Sequence, residues 1–285
     1  MKYSEQAIVF PCAGEQLLGI VAQPEQAEST GVLIIVGGPQ YRGGSHRQFL
    51  LLSRALATAG YPAMRFDYRG MGDSTGELRN FEAVESDIAA AVDAFMAASP
   101  ELERIVLWGL CDAASASLLY LHAHKDERLG GLVLLNPWVR SEATLARAHI
   151  KHYYVQRLLQ PEFWRKLLSG QLGIWRAVGG FLGALHQARQ PAGVGSPEGA
   201  LPFQERMLRG LSGFHGATLV ILSGNDYTAK EFIESTRVSQ AWTAVLGAAN
   251  VAVKAVPDAD HTFSSGEWRT QIERLTLEWL GQIAN

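Results

Sequence analysis

The stretch with the clearest chemical content is Ile105-Val106-Leu107-Trp108-Gly109-Leu110-Cys111-Asp112-Ala113-Ala114-Ser115, an apolar strand that passes through a G-x-C-x-A turn into a helix. A nucleophile on such a strand-to-helix elbow sits on strained backbone, so the residues two before and two after it must be small; Gly109 and Ala113 are. At the head of a helix, unpaired N–H groups and the dipole favour the thiolate of Cys111, which is the nucleophilic form. The adjacent Asp112 carboxylate opposes that effect. Read alone, Cys111 also fits a small buried apolar residue, because free cysteines are among the most buried types.

The rest of the chain supplies partners in the order nucleophile, acid, histidine. The apolar run Ala217–Leu222 ends in Ser223-Gly224-Asn225-Asp226, which places Asp226 in the turn beyond a strand. A second run, Val251–Val256, is followed by Pro257-Asp258-Ala259-Asp260-His261. Asp226 is the expected acid and His261 the expected general base, with Asp258 and Asp260 as alternative carboxylates. In a bland reading, the Asn-Asp pair is turn chemistry and the histidine a solvated surface group. In the chemical reading, His261 takes the thiol proton, Asp226 holds the imidazole's tautomer and orientation, and Cys111 attacks an acyl carbon.

An acyl oxyanion needs N–H donors. The run Val32–Val36 opens into Gly37-Gly38-Pro39-Gln40-Tyr41-Arg42-Gly43-Gly44, so Gly38 is one expected donor and Asp112, following the nucleophile, is the other. Pro39 has no N–H to offer. Gln40 and Arg42 are the expected substrate-binding residues. Arg42, with His46 and Arg47, could grip a carboxylate or phosphate headgroup, or these residues could simply cover a helix start. The loop has neither G-x-G-x-x-G nor the P-loop lysine pattern, so no nucleotide or other cofactor is expected. No metal site is expected either: the eight histidines are scattered, and only His149 and His152 could share a helical face.

The G-G-P loop, Asp67-Tyr68-Arg69-Gly70-Met71-Gly72-Asp73-Ser74, the elbow, Asp226 and His261 together resemble the α/β-hydrolases over nearly the whole chain. Segments Gly37–Phe49, Phe66–Ser74 and Gly109–Ser115 are similar to those of subfamily 1 of the exosortase A system-associated hydrolases. That resemblance implies a bacterial setting near exopolysaccharide and protein-sorting machinery, and it assigns no substrate. The cysteine elbow is also similar to that of dienelactone hydrolases, which lack the insertion described below.

The elements that must position these residues follow from the apolar pattern. Strand-like runs near Ile8, Leu18, Ile34, Ala63, Val106, Val133, Val220 and Val253 alternate with helical patterns at Ser45–Ala59, Phe81–Ala98, Cys111–Ala123, Thr228–Leu246 and Glu267–Ile283. This predicts an α/β fold, a mostly parallel eight-stranded sheet flanked by helices. The glycines and carboxylates of 67–76 predict a tight loop. Between Trp138 and Gly216 the alternation stops, and Ile150–Leu159, Phe163–Leu168, Ile174-Trp175 and Phe181-Leu182 predict a helical lid, with 190–202 as a Gly-, Pro- and Ala-rich connector. The expected organisation is a core of 1–137 and 217–285 interrupted by a 138–216 insertion.

The composition suits an enzyme with one large core: 285 residues, 47% hydrophobic and 19% charged. A net charge of −3 gives no electrostatic case for nucleic acid. No signal-peptide pattern and no apolar run of membrane-spanning length is evident, which predicts a cytoplasmic protein without a transmembrane segment. Its two cysteines form no disulfide framework, and Cys12 reads as structural. The expected activity is hydrolysis of an ester or thioester in a small-molecule acyl substrate through an S-acyl cysteine. Acyl transfer by the same triad is the alternative, and a non-catalytic binding or assembly protein on the same fold is a third reading. Amphipathic lid helices could also contact a membrane surface or a partner protein.

Overall fold

Strands of this chain that are apolar at consecutive positions need cover on both faces. The computed structural model, which describes residues 2–38, 40–140 and 201–283, provides it. Eight strands, β1 (Tyr3–Cys12), β2 (Glu15–Pro24), β3 (Thr30–Ile35), β4 (Ala63–Phe66), β5 (Arg104–Leu110), β6 (Leu129–Leu135), β7 (Ala217–Ser223) and β8 (Val251–Val256), form one sheet in the order β1-β2-β4-β3-β5-β6-β7-β8. The β1–β2 and β2–β4 pairs are antiparallel, and every pair from β4 to β8 is parallel.

Alternation along the strands sorts the core into two layers. Leu33, Ile35, Leu107, Leu132, Leu134, Val220 and Leu222 face one side, against Ile88, Val92 and Phe95 of α2 (Glu85–Ala98) and Leu118 of α3 (Asp112–Ala123). Val32, Ile34, Val106, Trp108, Val133, Leu219 and Ile221 face the other. They pack on Phe49, Leu52 and Leu56 of α1 (Gln48–Thr58) and on Ile272, Trp279 and Leu280 of α7 (Gly266–Ile283). Phe49 meets Trp108 edge-on, with ring centroids 5.8 Å apart. Each fully buried side chain of this size contributes about 1.5–3 kcal/mol of apolar burial.

The contacts divide the chain into two units, Met1–Val139 with Phe203–Asn285, and Arg140–Pro202. The lid helices expected at 150–182 and nearly all of the 190–202 connector lie outside the described residues. Helix α4 (Phe203–Ser212), which the sequence pattern assigned to the insertion, falls in the core unit. Its Met207 is fully buried, and Gly210 approaches α3 so closely that a Cβ there would stand 2.1 Å from the Leu118 carbonyl oxygen.

Two helices differ from expectation for local reasons. The predicted 228–246 helix is two, α5 (Tyr227–Arg237) and α6 (Gln240–Leu246), because Ser239 adopts extended backbone and caps α6 through the Trp242 N–H. The helix expected from Ser45 begins as a 3-10 turn in which His46 and Arg47 are left-handed (φ 53° and 60°); α1 proper starts at Gln48.

The parallel register brings the carboxyl ends of β3, β5, β6, β7 and β8 to one edge: Ile35 pairs with Gly109, Leu110 with Leu135, Leu135 with Ile221 and Ser223 with Val256. Open parallel sheets bind ligands beyond this edge. The loops that leave it carry Gly38, Cys111, Asn136, Asp226 and His261.

Candidate active site

Cys111 is the single residue between β5 and α3, with φ 63° and ψ −124°, a conformation that non-glycine residues rarely adopt. Surrounding bonds hold it there. Its N–H donates to the Leu135 carbonyl at 2.8 Å, and its own carbonyl accepts from Ala114, Ser115 and Trp138. The need for small neighbours is geometric: a Cβ on Gly109 would lie 2.7 Å from the Ala113 carbonyl carbon.

Asp226 caps α5, accepting from the Thr228 and Ala229 N–H groups at 3.1 Å each. The oxygen that receives Ala229 also lies 2.9 Å from His261 Nδ1. Burial of Asp226 would raise its pKa, but the hydrogen bond and charge of His261 together with the two capping N–H groups hold it below the usual carboxylate value. His261 in turn is pushed up to about 10, first by its bond to Asp226 and then by a hydrogen bond to the Cys111 side chain. The imidazole thus lies between a carboxylate and a sulfur, both of which favour its charged form. Cys111, His261 and Asp226, read from three separate segments, are thus in one chain of contacts. Asp260 belongs to the histidine loop instead, where it accepts from the Thr262 and Ser264 N–H groups, and Asp258 is exposed.

The expected donor Gly38 is not free. Its N–H donates at 2.8 Å to Oδ2 of the Asp112 side chain, and the N–H groups of Ala113 and Asp112 itself also favour that carboxylate's charge. Burial outweighs these donors and raises the Asp112 pKa. Its other oxygen, Oδ1, is buried without a hydrogen-bond partner against Gly37, where a Cβ would stand 2.2 Å away. Sequence reasoning identified Asp112 for its backbone; its side chain instead takes the Gly38 N–H that was expected to serve an oxyanion.

Arg42 requires a correction. Its side chain is 9% exposed, and its guanidinium is committed to Asp67 and to Asp73, the latter at 2.8 Å, with the Tyr41 ring 4.2 Å away. Its N–H also donates to Asp67, at 2.8 Å. Asp67 is completely buried, so burying its charge requires a partner; Arg42 fastens the oxyanion loop to the 67–76 loop rather than gripping a substrate. Gln40 Oε1 accepts from the Ser45 N–H at 3.3 Å, within its own loop.

One supporting residue was missed. Asn136, fully buried at the end of β6 with φ 44°, donates to Ser223 Oγ (2.9 Å) and to the His261 carbonyl (3.2 Å), and accepts from the Ser223 N–H (2.8 Å). Ser223 Oγ donates to the Asp260 carbonyl at 3.0 Å. Together they tie the histidine loop to the sheet. The available signal was an asparagine directly after an apolar strand, since Asn tolerates positive φ. Among the described residues no group of three or more His, Cys, Asp or Glu could hold a metal ion, and no helix is long and apolar enough to cross a membrane.

The family described as serine aminopeptidase, S33 (Hydrolase_4), matches residues 27–172 of this chain. No curated protein matches it. Among solved structures, an esterase of Pyrococcus furiosus aligns with TM-score 0.65 at 16% identity, covering 99% of this chain and 92% of that one. An alpha-beta serine hydrolase homologue from Coxiella burnetii aligns with TM-score 0.59 at 15% identity, covering 96% and 97%. The acylaminoacyl peptidase of Pyrococcus horikoshii gives 0.62 at 15% identity, covering 99% of this chain and 41% of that one. At these identities the likeness is one of fold.

Proposed function

Because the chain belongs to the serine aminopeptidase S33 (Hydrolase_4) family of α/β-hydrolases, we propose that it is an acyl hydrolase that cleaves an ester or thioester through an S-acyl intermediate on Cys111. The observation that carries this reading is the contact chain Cys111–His261–Asp226 with the thiol at the elbow. The family's description names a serine enzyme, and this chain offers the Cys111 thiol at its strand-to-helix elbow; a thiol can serve as an acyl nucleophile as a hydroxyl does.

The thiolate of Cys111 attacks the acyl carbon, a C–S bond forms, and the carbonyl electron pair moves to oxygen. Collapse breaks the bond to the alcohol or thiol leaving group, which takes its proton from His261. Water, deprotonated by His261, then hydrolyses the thioester and frees the thiolate. Asp226 orients the imidazole throughout. The Gly38 and Asp112 N–H groups are the proposed donors to the oxyanion, the Gly38 N–H being taken at rest by the Asp112 carboxylate. Resemblance of the Gly37–Phe49, Phe66–Ser74 and Gly109–Ser115 segments to the exosortase A system-associated hydrolases supports a bacterial exopolysaccharide setting for this chemistry.

Intact-mass spectrometry after exposure to a panel of activated esters and acyl thioesters tests the proposal. An acyl adduct is expected that is absent in Cys111→Ala and accumulates in His261→Ala. Turnover of the same esters by Cys111→Ala at the wild-type rate would overturn it.

A further inference from the structure

The Asp112 carboxylate holds the N–H that the proposed reaction needs for its oxyanion. Oδ2 takes the Gly38 N–H at 2.8 Å, a contact between residues 74 positions apart. It is a poorly satisfied occupant: Oδ1 is buried with no hydrogen-bond partner, and burial costs the charged form more than the surrounding N–H groups return. Beside it lies a cavity of about 200 Å³ whose lining includes Tyr68, Arg79, Asn80, Gly38 and Asp112 itself. The Tyr68 ring is 4% exposed and its hydroxyl is also buried without a partner. Two of the lining residues thus carry a buried polar atom without a hydrogen-bond partner, the Asp112 Oδ1 acceptor and the Tyr68 hydroxyl.

We infer that Asp112 is a specificity-determining residue whose side chain fills the oxyanion hole at rest and is displaced into the adjoining cavity, toward the Tyr68 hydroxyl and Arg79, when a substrate's oxyanion takes the Gly38 N–H. The inference rests on the proposed nucleophilic role of Cys111. Its consequence is a filter: displacement costs free energy, and a substrate supplies it only through binding groups remote from the acyl carbon. Minimal esters, which have none, are acylated slowly, and larger acyl substrates are favoured.

The test compares two reactions of Cys111 in the full-length protein. Acylation by p-nitrophenyl acetate forms an oxyanion as the thiolate adds, then expels p-nitrophenolate. Alkylation by iodoacetamide, which displaces iodide at a saturated carbon, forms none. Removing the Asp112 charge can change thiolate content and so move both rates; the ratio of acylation to alkylation isolates the hole. Asp112→Ala is expected to raise that ratio about tenfold or more, up to the roughly 10²–10³ that one oxyanion-hole donor is worth. Asp112→Asn, whose amide oxygen still accepts from Gly38 but carries no charge, is expected to raise it less. Tyr68→Phe in the otherwise wild-type protein should lower it.

A ratio unchanged or reduced in both Asp112 variants, with Cys111 still alkylated in a His261-dependent way, overturns the inference and leaves the nucleophile reading standing. A Cys111 that neither reagent modifies in any variant overturns both. The Asn variant keeps the outcome readable if the Ala variant does not fold.

Discussion

Oδ2 of Asp226 accepts two hydrogen bonds at once, from the backbone N–H of Ala229 at 3.1 Å and from His261 Nδ1 at 2.9 Å. The residue that begins α5 is therefore the same one that orients the imidazole, and helix stability and site geometry share one carboxylate. Asp226→Asn keeps the size and most of the capping ability but no longer fixes the imidazole's tautomer. It is expected to lose about 10²-fold or more in acyl-ester turnover with a small change in stability. Asp226→Ala should lose comparable activity and also about 1 kcal/mol of stability from the missing cap. Steady-state rates paired with urea unfolding check both; an Asn variant with wild-type turnover contradicts the assignment.

His261 links the site to pH. Its folded pKa is raised to about 10, above an unfolded value of about 6.5, because Asp226 and Cys111 favour the imidazolium. A raised pKa stabilises the fold fully below the unfolded value, and that contribution is lost as pH climbs through about 10. The stability gap between wild type and His261→Asn should therefore narrow between pH 7 and pH 10. Urea midpoints for both proteins across that range test the sign; a gap that widens with pH is the contrary result.

The elbow tolerates no bulk at Gly109. A Cβ there would meet the Ala113 carbonyl carbon at 2.7 Å and the Ala114 nitrogen at 2.8 Å, which are backbone atoms that cannot turn aside. Gly109→Ala is expected to cost about 1–3 kcal/mol through overpacking and to displace Cys111. Thermal melting measures the first effect and the iodoacetamide rate at Cys111 the second.

Arg42 is predicted to behave as a structural residue. Arg42→Ala leaves the fully buried Asp67 carboxylate without its cationic partner, and loss of one member of a buried pair costs about 3–5 kcal/mol. Denaturant unfolding should show that loss. At a temperature where the variant stays folded, KM for anionic and neutral esters should shift alike; a selective loss for the anionic ester would return Arg42 to a binding role.

Asn136 is expected to act on the proposed reaction through the histidine loop that it holds. Asn136→Ala removes its bonds to Ser223 and to the His261 carbonyl and leaves buried groups unpaired, at a cost of about 1–3 kcal/mol. With the histidine less firmly held, kcat is expected to fall while KM changes little. Kinetics at a temperature well below the variant's melting point separate this from simple unfolding.

The three residues of the candidate site, Cys111, Asp226 and His261, were legible in the sequence because each is announced by local rules. Gly109 and Ala113 flank Cys111 for a steric reason that spans only a few residues, and Asp226 and His261 each follow an apolar strand in a turn-forming segment. Strand number and parallel character were equally readable, since continuous apolar runs demand burial on both faces. The break between α5 and α6 was not, because Ser239 can sit inside a helix as well as cap one, and packing chose the cap.

What the sequence by itself determined is therefore the fold and which residues stand at the candidate site, which depend on side-chain size, polarity and short-range order. Only the tertiary structure decided what those groups face. Asp112 meets the N–H of Gly38, Arg42 meets Asp67, and Asn136 meets the carbonyl of His261, each across a distance in sequence that no local pattern encodes. The physical reason is common to all three. A buried polar group must find a partner, and which partner lies within hydrogen-bond reach is set by the sheet register and the loops it brings together.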